Sequence, residues 1–324
     1  YVSDFDYGST QLFDIYFPSP VNTTFSSVKG ETILTTYNIT SDTTVSYPIK
    51  VPYGVIFNIS SGVTLTINGA FEAGLYQVFN CSGTGKVVFG DTSIEQIIPQ
   101  WWSSPITTAS MSLAIQCVYD SNIPMYIPKG DYSSVDIVIS GYDNTNPRRF
   151  IIYGNNSKFK SITLNETKNV QLFDFVLTED LVAVVWYTHL KNISCRTFQL
   201  LSKLSTNFGS YWNTFERIYT AGIIVDATAH GSTVGCNANR FVDCHAHSAT
   251  SNGAGDHTDT LGAGYRQIGE CSDNQIIGGD FSYNTTYGIL NQSSLVLTVS
   301  NVYIEGPPTS GVTSISGRVD VFGG

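Results

Sequence analysis

Three segments in the second half of the chain return the same residue types at matching places. They are Asn213-Thr214-Phe215-Glu216-Arg217, Asn239-Arg240-Phe241-Val242-Asp243 and Asn274-Gln275-Ile276-Ile277-Gly278, at spacings of 26 and 35 residues. Extending the second pair backwards sets Cys236 on Cys271. A repeat of about 20–30 residues made of short strands is what a β-solenoid needs, because equivalent residues then stack on successive coils. A buried Asn in such a stack satisfies its amide by bonding the Asn above and the Asn below. A helix-pair solenoid would need apolar residues at a 3.6-residue period, which these segments lack. Unrelated strands of a sandwich are the weaker alternative.

The longer spacing exceeds the shorter by nine residues. The surplus falls in the polar, Gly-rich stretch 247–264, which holds Asp256, His257 and Asp259 and cannot be core. An insertion of this kind leaves the stack as a surface loop, and such loops on rigid scaffolds often carry function.

Composition agrees with coils and turns. Charged residues make up 13% of the 324, against about 25% in ordinary soluble domains. The polarity comes instead from 36 Ser, 34 Thr, 22 Asn and 29 Gly, all weak helix formers. The formal charge of −10, with 16 scattered basic residues, argues against a nucleic-acid partner. The apolar run LVAVVW at 181–186 is too short to span a bilayer and reads as a buried strand, so no membrane insertion is expected. Six widely spaced cysteines without a CxxC pair read as buried thiols. Nine Asn-X-Ser/Thr sequons occur, Asn22, Asn38, Asn58 and Asn284 among them, where about five would arise by chance; the excess hints at a secreted glycoprotein.

From 51 to 90 the runs VIFNIS, VTLTING, YQVFNC and KVVFG alternate with turn residues and read as short strands. Residues 107–122 differ: Met111, Ala114, Ile115 and Val118 recur at helical spacing, with Ser104 or Thr107 placed to cap the start. The exit NIPMYIPKGDY returns to strand through two prolines.

The order GVTLTINGAFEAGLYQVF (62–79), SGTGKVVFG (82–90), IIPQWW (97–102), a helix carrying AIQ (114–116), then IPMYIPKGDY (123–132) resembles the start of the pectate-lyase-like right-handed β-helix domains of phage and other viral tailspike proteins. The resemblance covers about residues 51–135. It implies an all-β, right-handed parallel β-helix with a short N-terminal capping α-helix. The organisation expected is a β-rich segment at 1–96 leading into the solenoid, the Trp-Trp motif and capping helix at 97–130, and β-helix coils at 131–324. It further implies a homotrimeric, extracellular protein of the virion surface that recognises, and in this family frequently cleaves, a host-surface polysaccharide. No cofactor is expected. On this reading Trp101 and Trp102 close an open end of the solenoid, which otherwise exposes unpaired edges and core; a sugar-stacking platform is the alternative.

Hydrolysis of a glycosidic bond takes two carboxyl groups, one as acid and one as base or nucleophile. The expected catalytic residues are a pair drawn from Asp243, Asp256, Asp259 and Glu270. By the repeat alignment Asp280 lies one coil from His245 and Tyr219, about 5 Å away. Trp212, Tyr265, Arg266, His257 and Asp280 are the expected substrate-binding residues, and Tyr211, Tyr283 and Tyr287 could also line a groove. A lyase is the competing enzyme, with Arg240 or Arg266 neutralising a uronic carboxylate and His257 or Tyr265 as base. A non-catalytic receptor-binding or structural protein is the third reading. Asp256-His257-x-Asp259 and Asp243-x-His245-x-His247 both invite a metal reading, but turn caps and a solvated strand edge are preferred, and no metal is expected.

Overall fold

The computed structural model describes residues 21–28, 31–141, 150–202, 209–228, 235–247, 262–306, 310–314 and 318–323. Asp256, His257 and Asp259 lie outside them. The described residues fall into two compact units, one reaching to Ile94 and including Trp101–Ser104, the other made of Glu95–Gln100 and the residues from Pro105 onward. Apart from one antiparallel pair in the first unit, Val21–Val28 with Glu31–Ile39, both consist of parallel strands stacked coil on coil, with one α-helix among the described residues, α1 (Thr108–Ser121). The fold is an all-β parallel solenoid.

In the first unit, Glu31–Ile39, Ile56–Ile59 and Phe79–Cys81 stack in parallel as one side of the coil. Thr43–Val45, Thr64–Ile67 and Lys86–Phe89 form a second side, and Ile49–Val51 with Phe71–Ala73 a third. Strand alternation turns Tyr37, Phe57 and Phe79 into the core. It turns Asn38, Asn58 and Asn80 outward, where Asn58 Nδ2 donates to Asn38 Oδ1 (3.0 Å) and Asn80 Nδ2 to Asn58 Oδ1 (2.9 Å). Coils are therefore stacked well before residue 131. All three of these Asn open sequons, and two further sequon residues, Asn284 and Asn291, are buried with no room for a glycan. At Asn38, Asn58 and Asn80 the sequon follows from Asn at a repeating coil position.

The two tryptophans close the last coil of this first unit. Both indoles are buried. Trp101 packs edge-on against Phe71 (5.1 Å between ring centroids) and tilts on Phe89 (5.8 Å), while Trp102 tilts on Phe79 (5.3 Å). Trp101 Nε1 donates to Gly74 O (3.1 Å) and Trp101 O accepts from Val78 N (2.8 Å). Burial of both rings rules out a sugar platform at this motif.

The second unit starts with α1, whose Thr107 cap and Ser110 exchange side-chain and backbone hydrogen bonds in a capping box. Its apolar stripe of Met111, Ala114, Ile115 and Val118 is buried, and Thr108 Oγ1 accepts from Asp136 N (3.1 Å) on the first long strand. From there the coils run in register. On one side Met125, Ile152, Leu172, Leu190, Phe215, Phe241, Ile276 and Val299 succeed one another inward. On another, Ile137, Ile162, Leu181, Phe198, Ile223, Tyr265 and Ile289 do the same. Each such side chain contributes about 1.5–3 kcal/mol of burial.

Asn213, Asn239 and Asn274 form the internal amide ladder that the repeat predicts. Asn213 Nδ2 donates to Asn239 Oδ1 (2.8 Å), and Asn239 Nδ2 donates to Asn274 Oδ1 (3.1 Å), all three residues being buried. The pairings Thr214–Arg240–Gln275 and Phe215–Phe241–Ile276 match the sequence alignment residue for residue.

Candidate functional site

The coils of the second unit turn through single residues in the left-handed conformation. One corner is the column Asn169, Tyr187, Trp212, Ala238 and Asp273, with φ between 52° and 59°. The next is Asp174, Asn192, Arg217, Asp243, Gly278 and Asn301. Asn, Asp and Gly tolerate this conformation through short side chains or none. A bulky aromatic does not, at about 1–2 kcal/mol per residue, so two consecutive aromatics at the first corner are unusual and mark it.

At that corner the Tyr187 and Trp212 rings stack, 5.2 Å apart and 10° from parallel, and both are about half exposed. Trp186 and Tyr211, paired in the β register, back them edge-on and tilted. One coil further the column holds Ala238, whose methyl covers little of an indole face. The result is an aromatic surface of the size that a sugar ring stacks on.

Between the two corners lies an outward strip of Thr214 and Glu216, Arg240 and Val242, Gln275 and Ile277, about 15 Å wide by strand geometry. Glu216 Oε1 forms ion pairs with Lys191 Nζ (3.0 Å) and Arg217 Nη2 (3.2 Å), and its Oε2 lies 3.4 Å from His189 Nε2. Burial alone would raise the Glu216 carboxyl, but the Lys191 hydrogen bond and the charges of Lys191 and Arg217 outweigh it and hold it below the usual glutamate range.

At the second corner the register stacks Tyr219, His245, Asp280 and Tyr303 on successive coils. The His245 ring lies on Tyr219 (5.0 Å, 21°). Asp243 Oδ1 is 3.7 Å from His245 Nε2, and Asp280 Oδ2 is 3.0 Å from His247 Nε2. Asp280 Oδ1 accepts from Ser282 N (3.0 Å). Beside this group Glu305 Oε2 accepts from Tyr303 (2.8 Å) and Tyr283 (2.9 Å). These two hydroxyls, Tyr303 first, hold the Glu305 carboxyl below its usual range, while the carboxylate pushes both phenols up.

The expected site residues are thus partly gathered. Asp243 and Asp280 both border His245, and Trp212 stands across the strip from them. Glu270 does not join them: it follows the strand Ala263–Gly269, at the opposite end of that side of the coil. Tyr265 is fully buried in the inward stack with its hydroxyl donating to Gln267 Oε1 (3.2 Å), so it can neither touch a surface substrate nor act as its base. The reason is alternation: 265 and 267 face in, and Arg266 faces out, donating to Gln292 Oε1 (2.5 Å). Tyr187, Tyr303 and Glu305 were not singled out from the sequence. Tyr187 does carry a sequence signal, since aligning Thr188 with Asn213 sets it on Trp212; Glu305 lies past the last recognisable repeat. Comparison with protein-family models, with curated proteins and with solved structures returns no match.

Proposed function

We propose that this chain binds a polysaccharide across the outward strip of its C-terminal coils, as the resemblance to tailspike β-helices implies, in a right-handed, homotrimeric, virion-surface protein. The observation that carries the reading is the Tyr187–Trp212 pair: two half-exposed, nearly parallel rings at strained corner positions, where a short polar residue would fit better. Sugar rings stack on such faces, and the strip beside it offers Glu216, Arg240 and Gln275 for hydroxyl and carboxylate contacts.

A second reading, cleavage of the bound glycan, is favoured by the carboxylates at the far edge of the same strip. Asp243 and Asp280 flank one imidazole, which suits acid–base hydrolysis. Incubation with a panel of surface polysaccharides separates the outcomes. Binding with new reducing ends makes the protein a hydrolase; reducing ends with ultraviolet-absorbing unsaturated ends make it a lyase. Binding with neither leaves a receptor-binding protein, and no binding to any glycan of a broad panel overturns the proposal.

A further inference from the structure

From the geometry of the second corner we infer that His245, His247 and Asp280 form a site for a divalent first-row transition-metal ion. The inference does not rest on the glycan reading. One ligand atom from each residue lies within 4.8 Å of the others. His247 Nε2 is the informative atom: it is buried and makes no hydrogen bond, although Asp280 Oδ2 is 3.0 Å away, because the carboxylate lies off the direction in which a ring N–H would point. Two ligands of one cation have this relationship. With bonds of about 2.1 Å, adjacent ligand atoms sit about 3.0–3.4 Å apart, each directed at the metal and not at the other. The His245 ligand atom lies within 4.8 Å of both, close enough for the three to share one ion after small side-chain adjustments.

The surroundings suit the role. Tyr219 stacks on His245 and Tyr283 meets His247 edge-on (6.5 Å between ring centroids), which limits where both imidazoles can point. Asp243 Oδ1 stands 3.7 Å from His245 Nε2 and adds a second negative charge beside the site. Two imidazoles and one carboxylate select zinc, cobalt, nickel, manganese or iron(II) over calcium and magnesium, which prefer oxygen. Three protein ligands also leave coordination positions for water or a substrate oxygen.

Titration of the metal-free protein with Co²⁺, followed by visible absorption and calorimetry, tests the site. One ion per chain is expected, with the weak bands of nitrogen and oxygen ligation and no thiolate charge-transfer band, displaced by Zn²⁺ and unaffected by a hundredfold excess of Mg²⁺ or Ca²⁺. His247→Ala and Asp280→Asn are each expected to weaken binding at least tenfold while keeping the native circular dichroism spectrum. Should either variant fail to fold, His245→Gln carries the same expectation. Absence of saturable binding, a thiolate band, or equal affinity in a folded variant overturns the inference. Loss of glycan binding in Trp212→Ala with cobalt binding intact would show the two sites to be independent.

Discussion

The Trp212 indole lies 10° from parallel with the Tyr187 ring one coil before it, and both occupy left-handed backbone at a solenoid corner. Replacing Tyr187 by Asn, which suits that conformation, removes one ring and relieves strain together. Tyr187→Asn is expected to leave stability unchanged or raise it by about 1 kcal/mol, while weakening glycan binding. A thermal melt and a binding isotherm on the same variant check both halves.

The amide ladder is a cooperative element. Asn239 donates to Ser210 O and Asn274 Oδ1 and accepts from Asn213 N and Nδ2. Asn239→Ala takes the acceptor from Asn213 N and the side-chain donor from Ser210 O on the coil before, and one of the two donors from Asn274 Oδ1 on the coil after, so a loss of about 3–5 kcal/mol is expected in urea unfolding. A loss below about 1 kcal/mol would mean that water replaces the amide and that the ladder adds little.

Trp102→Ala opens a cavity against Phe79 at the end of the first unit and is expected to cost about 3–5 kcal/mol. Glycan binding by the folded variant should stay as it is, since the buried indole cannot reach a ligand. A folded Trp102→Ala protein with impaired binding would return this motif to the functional surface.

Cysteine chemistry follows from burial. Burial is the main cause that pushes Cys195 and Cys244 up to about 12 and Cys81 to about 11, and none of the six cysteines forms a disulfide. Thiolate is the reactive form, so a disulfide-exchange reagent at neutral pH should find no fast thiol in the native protein and all six after denaturation. Fast reaction of a native thiol would contradict this placement.

Glu216 has a depressed folded pKa, so its contribution to stability is present above the unfolded value, near 4.5, and is lost as pH falls through the lower folded value. Wild type should exceed Glu216→Gln by about 1 kcal/mol at neutral pH, with the gap closing below pH 4.5. A gap that persists in acid would assign the effect to packing rather than charge.

Much of this architecture is legible in the sequence where coils repeat their chemistry. Asn213, Asn239 and Asn274 mark the same point of three coils, which fixes the register and, by counting onward, sets Asp280 on His245 and His245 on Tyr219. Earlier coils place Thr188 where the ladder Asn belongs, with Asn213 Oδ1 accepting from its backbone N–H (2.9 Å), so the repeat fades although the stack continues. Tyr265 misleads for a related reason: beside a Gly-rich stretch it looks like a loop residue, and only its pairing with Ile223 and Ile289 shows that it faces the core. Side-chain directions at corners depend on one left-handed residue each, and no local pattern announces which residue that is.

The central claim, polysaccharide recognition at the aromatic corner, is tested most directly by comparing wild type and Trp212→Ala for binding to the glycan that wild type selects from a panel. The predicted result is a loss of affinity of about tenfold or more with an unchanged melting temperature. Equal affinity in a folded Trp212→Ala protein would contradict it and move the binding surface elsewhere on the solenoid.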